Sequence, residues 1–285
     1  MPDAGTESMS KLPKRFWAEM TWRDFAAADM ASAIAVLPIA AIEQHGPHLP
    51  VGVDTFIMEG YLREVAARLP EEVPALFLPV QSIGKSNEHI AYPGTLTLSA
   101  ETVIRAWTEI GESVARTGCR KLVIVNSHGG NIAPMDIVAR ELRVRCNMLA
   151  VTVSWHRFGY PEGMLTAHEQ THGIHAGDAE TSLMLAFRPD TVNMAKARNF
   201  EPASAAIARD NIYLRATQPI GFGWMSQDLS AAGAMGDASV ATLAKGEAAA
   251  AHGAAAFVTL LREVAAFDIS CLHAGPSGGA GQQRR

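Results

Sequence analysis

The sequence predicts an α/β fold: a three-layer sandwich around a mostly parallel β-sheet. Three observations support this. Short apolar runs alternate with segments of helical length and spacing. The runs are continuously apolar rather than alternating, as strands buried on both faces are. Strands separated by helices imply βαβ units, in which helices cover both faces of the sheet.

Residues 31–42 form the first apolar run. Residues 55–69 follow with Ile57, Tyr61, Val65 and Leu69 on one helical face and Pro70 as the stop. Residues 75–80 read as a short strand. Ser99 is placed to cap a helix running to Thr117, with Gly118 just beyond its end. KLVIV at 121–125 is the clearest buried strand; 131–145 read as a helix and 148–154 (MLAVTVS) as another strand. Residues 178–187 form a helix stopped by Arg188-Pro189, and 240–265 a long Ala-rich helix expected to pack on its own domain. One domain is expected over residues 1–270, with a disordered tail at 271–285.

Composition narrows the function. Of 285 residues, 48% are hydrophobic and 19% charged, a globular balance. With 24 basic against 29 acidic residues, the chain lacks the electrostatic footprint of a nucleic-acid binder. Its longest apolar run, residues 33–42, is ten residues, whereas a helix crossing a bilayer needs roughly 20. The first residues, MPDAGTESMSKLPKRF, lack the apolar stretch of a signal peptide. Cys119, Cys146 and Cys271 are widely spaced, without a CxxC pair, which fits a reducing cytoplasm and excludes a thiolate zinc site. Ten histidines are present, eight of them between His45 and His175.

In an open parallel sheet, ligands bind beyond the carboxyl ends of the strands. The first strand is followed by Glu43-Gln44-His45-Gly46-Pro47-His48-Leu49-Pro50 and then Asp54. KLVIV is followed by Asn126-Ser127-His128-Gly129-Gly130-Asn131. The next strand leads to Trp155-His156 and a loop ending in His172-Gly173-Ile174-His175-Ala176-Gly177-Asp178-Ala179-Glu180. Imidazoles and carboxylates gathered at one sheet edge suit Zn, Mn or Fe. Two such ions about 3.5–4 Å apart can share a hydroxide and polarise a carbonyl.

These blocks, with Thr181-Ser182, Glu88-His89, Pro93-Gly94-Thr95, Asp237 and Gly246, resemble the creatininase (creatinine amidohydrolase) family over roughly residues 37–246. The resemblance implies a creatininase-like fold, a hexameric assembly and two divalent ions per chain (Zn, Mn or Fe). It implies that Asp54 bridges the ions, that Glu43 and His128 complete one site and that His45 ligates the other. In creatininase proper a glutamate two residues after the His128 equivalent also ligates the second ion. Here that position is Gly130, so Glu180 is expected to supply the carboxylate. His175 is the implied proton shuttle. Thr171 stands where creatininase proper has a tryptophan over its substrate, which counts against creatinine. The expected reaction is hydrolysis of a C–N bond in a small, cyclic or open, amide. The alternatives are C–C ring opening of a cyclic diketone on the same site, and a non-catalytic small-molecule binder. His48, Asn126 and Asn131 are the candidates to orient the ligating rings; Trp155, His156 and Trp224 could wall a pocket, but aromatic residues of this kind are more often core or interface.

Two motifs point elsewhere. His168-Glu169-Gln170-Thr171-His172 matches HExxH, which works as a zinc motif only on a helix. Pro161 and Gly163 upstream and Gly173 downstream give it a loop-like context, and Glu169→Ala is expected to leave activity mostly intact. Gly84-Lys85-Ser86 resembles the end of a P-loop, but the first glycine of that motif would fall on Pro79.

Overall fold

The computed structural model describes residues 12–273 and 275. Most of the expected tail, and most of the N-terminal stretch read for a signal peptide, lie outside the described residues. Six strands are described: β1 (Ile34–Ile39), β2 (Ala75–Phe77), β3 (Lys121–Asn126), β4 (Leu149–Ser154), β5 (Asn199–Phe200) and β6 (Gly236–Asp237). The nine helices are α1 (Trp22–Ala27), α2 (Val53–Arg68), α3 (Ala100–Arg116), α4 (Ile132–Cys146), α5 (Ala167–His172), α6 (Asp178–Phe187), α7 (Ala203–Asp210), α8 (Ser226–Leu229) and α9 (Leu243–Ala266) among the described residues.

The main sheet has the order β2-β1-β3-β4, with every pairing parallel. Successive side chains point to opposite faces. Ile34, Val36, Val123 and Val125 join an apolar cluster with residues of α2, α6 and α9. Ala35, Leu37, Ile39, Leu122 and Ile124 join a second cluster with residues of α3 and α4. Helices therefore cover both faces, giving the expected three layers. The register aligns Ile39, Asn126 and Ser154, so β1, β3 and β4 end at one edge and release their loops side by side.

Three strand ends, one of β2 and both of β1, differ from expectation, and proline accounts for the first. β2 stops at Phe77 rather than residue 80. On the β2 side of β1, Val36 accepts from Leu78, but Pro38 has no N–H to continue the ladder. The ends of β1 beyond residues 34–39 run into the turns at 31–33 and the site loop. The helix expectations hold more closely. Ser99 caps α3 by accepting from Thr102 N, Gly118 follows at φ +94°, and α6 spans the expected residues.

The Ala-rich helix packs on its own domain, against α2 and α6. Glycine is required at one contact: a Cβ on Gly246 would lie 1.8 Å from the carbonyl oxygen of Ser182. Its absence lets α9 approach the helix that carries Glu180. The HExxH segment departs from its expected loop form. Thr166 accepts from Glu169 N and caps α5, which contains the whole motif.

Candidate metal centre

β1 delivers Glu43 and His45, the first turn of α2 delivers Asp54, the turn after β3 delivers His128 and the first turn of α6 delivers Glu180. Glu43, His45, Asp54 and His128 are buried at 5% exposure or less, and the Glu180 side chain is 26% exposed. Their donor atoms form two sets that share Asp54: Glu43, Asp54 and His128 in one, His45, Asp54 and Glu180 in the other. In the first, His128 Nδ1 lies 3.1 Å from Glu43 Oε1 and 3.7 Å from Asp54 Oδ2. In the second, His45 Nε2 lies 3.9 Å from Asp54 Oδ1 and 3.8 Å from Glu180 Oε2.

Each ring is held with one nitrogen free. His45 Nδ1 donates to Glu43 O at 2.9 Å, leaving Nε2 as the lone pair. His128 Nε2 donates to Lys85 O at 3.0 Å, leaving Nδ1. Backbone acceptors of this kind fix the tautomer of a ligating imidazole. His45 Nε2 and Asp54 Oδ2 are buried without a hydrogen-bond partner among the described residues. Such orphaned polar atoms normally cost stability; here they lie among three carboxylates, with His45 Nε2 toward Asp54 Oδ1 and Asp54 Oδ2 toward His128. That donor set fits divalent cations.

The electrostatics agree. Burial, then the neighbouring Glu43 carboxylate, pushes Asp54 well above the usual carboxylate range. Burial lifts Glu180 to about 7. Burial and the adjacent His175 hold His45 well below the usual imidazole value. Burial would lower His128 as well, but Glu43 and the surrounding carboxylates outweigh it and raise the ring well above its usual value. The site brings three carboxylates together around two imidazoles.

His175 reaches the centre from the loop before α6. Its Nε2 donates to Gln44 O at 2.7 Å, and its Nδ1 lies 3.6 Å from Glu43 Oε1. Burial lowers it to about 4, so the ring is neutral near pH 7. The next residue, Ala176, adopts φ +56°, and its N–H donates to Glu180 Oε2 at 2.6 Å. That turn presents imidazole and carboxylate together.

Asn126 and Asn131 act on His128 through the backbone. Asn126 Oδ1 accepts from His128 N at 3.0 Å and its Nδ2 donates to His128 O at 2.6 Å. Asn131 Oδ1 accepts from Lys85 N at 2.9 Å, holding the residue whose carbonyl receives the ring. His48 instead pairs with Thr181 Oγ1 at 3.0 Å and stacks on Phe200. Trp155 is a core residue stacked on Tyr61 rather than a pocket wall, and His156 is exposed. Trp224 packs with Ala216, Leu229 and Met235.

Three residues near the centre were missed as site residues by sequence reasoning. Ser86 Oγ donates to Glu43 Oε2. Glu88 Oε1 lies 3.4 Å from His128 Nε2, and His89 Nε2 lies 3.5 Å from Glu43 Oε1. They lie on the loop leaving β2, whose strand end was not followed to the site.

The HExxH motif lies outside both donor sets. Glu169 is buried, and its carboxylate accepts from Asp178 N at 2.7 Å and Asp237 N at 2.9 Å. It ties the His175–Asp178 turn to β6 and has no free edge for a general base. His168 pairs with Glu201 at 3.1 Å and His172 with Ser204 at 3.0 Å. Glu169→Ala therefore removes a structural tie, and its expected cost is to stability. Thr171, on exposed α5, bonds back to Ala167 O and provides no aromatic cover.

Comparison with known proteins follows the same lines. The family model for creatininase, described as creatinine amidohydrolase, matches residues 18–261. The creatinine amidohydrolase of Pseudomonas putida is 32% identical over 206 residues, which is 66% of this chain and 78% of the relative. The mycofactocin precursor peptide peptidase of Mycobacterium tuberculosis is 30% identical over 217 residues, 74% of this chain and 77% of the relative. A solved structure described as creatininase Mn superposes with a TM-score of 0.68 at 26% identity, covering 88% of this chain and 98% of that one.

Proposed function

Because the chain belongs to the creatininase family of amidohydrolases, whose model spans residues 18–261, we propose that it hydrolyses a C–N bond in a small amide with two divalent cations, which Glu43, His45, Asp54, His128 and Glu180 would hold, Asp54 being common to both donor sets. The observation that carries this reading is the pair of donor sets sharing one buried carboxylate. Glu43 and His128 complete one cation site; His45 and Glu180 complete the other. Glu180 supplies the carboxylate that Gly130 lacks. Zn, Mn and Fe all suit such donors.

Bound divalent cations supply a water nucleophilic near neutral pH and polarise the scissile carbonyl. The chain's own residues do the rest. Asp54, Glu43 and Glu180 balance the cationic charge. His175, neutral and anchored through Nε2, offers Nδ1 to take the proton of the attacking water and return it to the leaving nitrogen. Gln44 O fixes the ring for that transfer. The relatives named above are an amidohydrolase and a peptidase, both acting on C–N bonds, which favours an amide over a diketone. The absence of aromatic cover at Thr171 argues against creatinine itself.

We extend the proposal to self-association as a hexamer, with Ile212 (82% exposed), Tyr213 (73%) and Ile220 (53%) as an apolar surface available to it. Light scattering would then give a mass six times that of the 30.4 kDa chain; a monomer would refute this extension.

The activity is tested by incubating metal-loaded protein with creatinine, cyclic amides, short peptides and cyclic diketones, alongside Asp54→Asn. Amine release from an amide, lost in Asp54→Asn, supports the reading. Ring-opened keto acid without amine release would replace it with C–C hydrolysis. Metal binding without any turnover would make the protein a binder.

A further inference from the structure

Gly130 and Glu88 occupy one space between them. A Cβ built on Gly130 would lie 2.3 Å from Glu88 Oε1, 2.4 Å from Lys85 O and 2.5 Å from His128 Nε2. A side chain at position 130 and the observed Glu88 carboxylate are therefore mutually exclusive. Gly130 is thus more than a lost ligand: the volume is filled from the loop after β2.

The carboxylate placed there is well suited to act on the metal site. Glu88 Oε1 lies 3.4 Å from His128 Nε2, the nitrogen remote from the cation, and Oε2 lies 3.5 Å from Lys85 Nζ. The same ring nitrogen donates to Lys85 O at 3.0 Å, with the Glu88 carboxylate beside it. A negative charge behind a ligating imidazole orients the ring and makes its other nitrogen a stronger donor.

Resting on the two-cation reading above, we propose that Glu88 is a positioning residue for the Glu43–Asp54–His128 site and that Gly130 is kept free of a side chain so that Glu88 can reach His128. The consequence is specific to metal affinity. Glu88→Gln keeps the shape and removes the charge; outer partners of this kind are typically worth 10–100-fold in metal affinity. Gly130→Ala keeps the carboxylate, but its Cβ meets Glu88, the Lys85 carbonyl and the His128 ring together, so it weakens the same site and Glu88→Gln alone isolates the carboxylate.

The test is titration of chelator-treated full-length protein with Zn2+ against a chromophoric competitor, alongside thermal unfolding of the metal-free proteins. The expected result is two binding steps in the unaltered protein. In Glu88→Gln and Gly130→Ala one step weakens by about 10–100-fold while the other stays within about threefold. The metal-free Tm of Glu88→Gln is expected to stay near that of the unaltered protein. Unchanged affinity in Glu88→Gln, or a lowered metal-free Tm with unchanged affinity, overturns the proposal in favour of a packing role. Unchanged affinity in Gly130→Ala alone overturns the clause concerning position 130. Absence of Zn2+ binding in the unaltered protein overturns the two-cation reading, a different failure.

Discussion

At Asp54 the two oxygens face different histidines, Oδ1 toward His45 and Oδ2 toward His128, which is the arrangement a bridging ligand needs. Removing it should do two separable things. Asp54→Asn is expected to weaken metal binding by at least about 10²-fold and to abolish activity. It should not lower the metal-free Tm, because it removes a carboxylate whose ionisation is disfavoured in the folded state. Glu169 is the opposite case. Glu169→Ala strands two backbone N–H groups, at Asp178 and Asp237, and should lower the metal-free Tm by about 5–15 °C. A scan of both variants without metal checks the contrast: an unchanged Tm in Glu169→Ala would show that neither N–H depends on that carboxylate. The candidate ligands Glu43, His45, Asp54, His128 and Glu180 could be named from the sequence because they fall within short motifs, the first four in the segments that follow β1 and β3. Ser86, Glu88 and His89 were not. They lie 43–46 residues from Glu43, and only the folded loop after β2 brings them to it.

The elements themselves were readable where packing and local signals agree. β3, α3 and α6 combine unbroken apolar runs or caps with clear stops, and they fall within a residue of expectation. α5 was missed although its signal was present: Thr166 three residues before Glu169 is an N-cap spacing, but flanking glycines and prolines outweighed it. β2 ended early because the strand beside it contains Pro38, a cause visible only once the pairing is known. The α6–α9 contact makes a prediction at this scale. Gly246→Ala forces a Cβ into the Ser182 carbonyl and should cost about 1–3 kcal/mol. Glu180 sits two residues from that carbonyl, so the displacement should also weaken metal binding. Urea unfolding with an unchanged slope and a lower midpoint checks the first effect, and a Zn2+ titration the second. A midpoint equal to that of the unaltered protein would show that the helices separate without cost.

Across the molecule, the pH dependence of stability should invert on metal loading. Asp54, Glu180 and His128 all have raised proton affinities in the metal-free fold. Groups of that kind stabilise the folded state below their unfolded pKa and lose the contribution as pH rises through the folded value. The lowered imidazoles of His45, His89 and His175 work the other way, but only below about 6.5, where they begin to titrate in the unfolded chain. Between about pH 6.5 and 8, therefore, the metal-free protein should lose stability with rising pH. Cation binding needs the same groups deprotonated, so the loaded protein should gain over that window. Thermal scans with and without chelator should show a gap that widens with pH; a constant gap would contradict this. The described residues contain no helix long and apolar enough to cross a membrane. The most direct test of the central claim is elemental analysis of metal per chain, on protein purified without chelator or a nickel column. Two divalent cations per chain, both lost in Asp54→Asn, is the predicted result. A single cation that survives Asp54→Asn, or no binding after incubation with Zn or Mn, would contradict a centre built on Asp54.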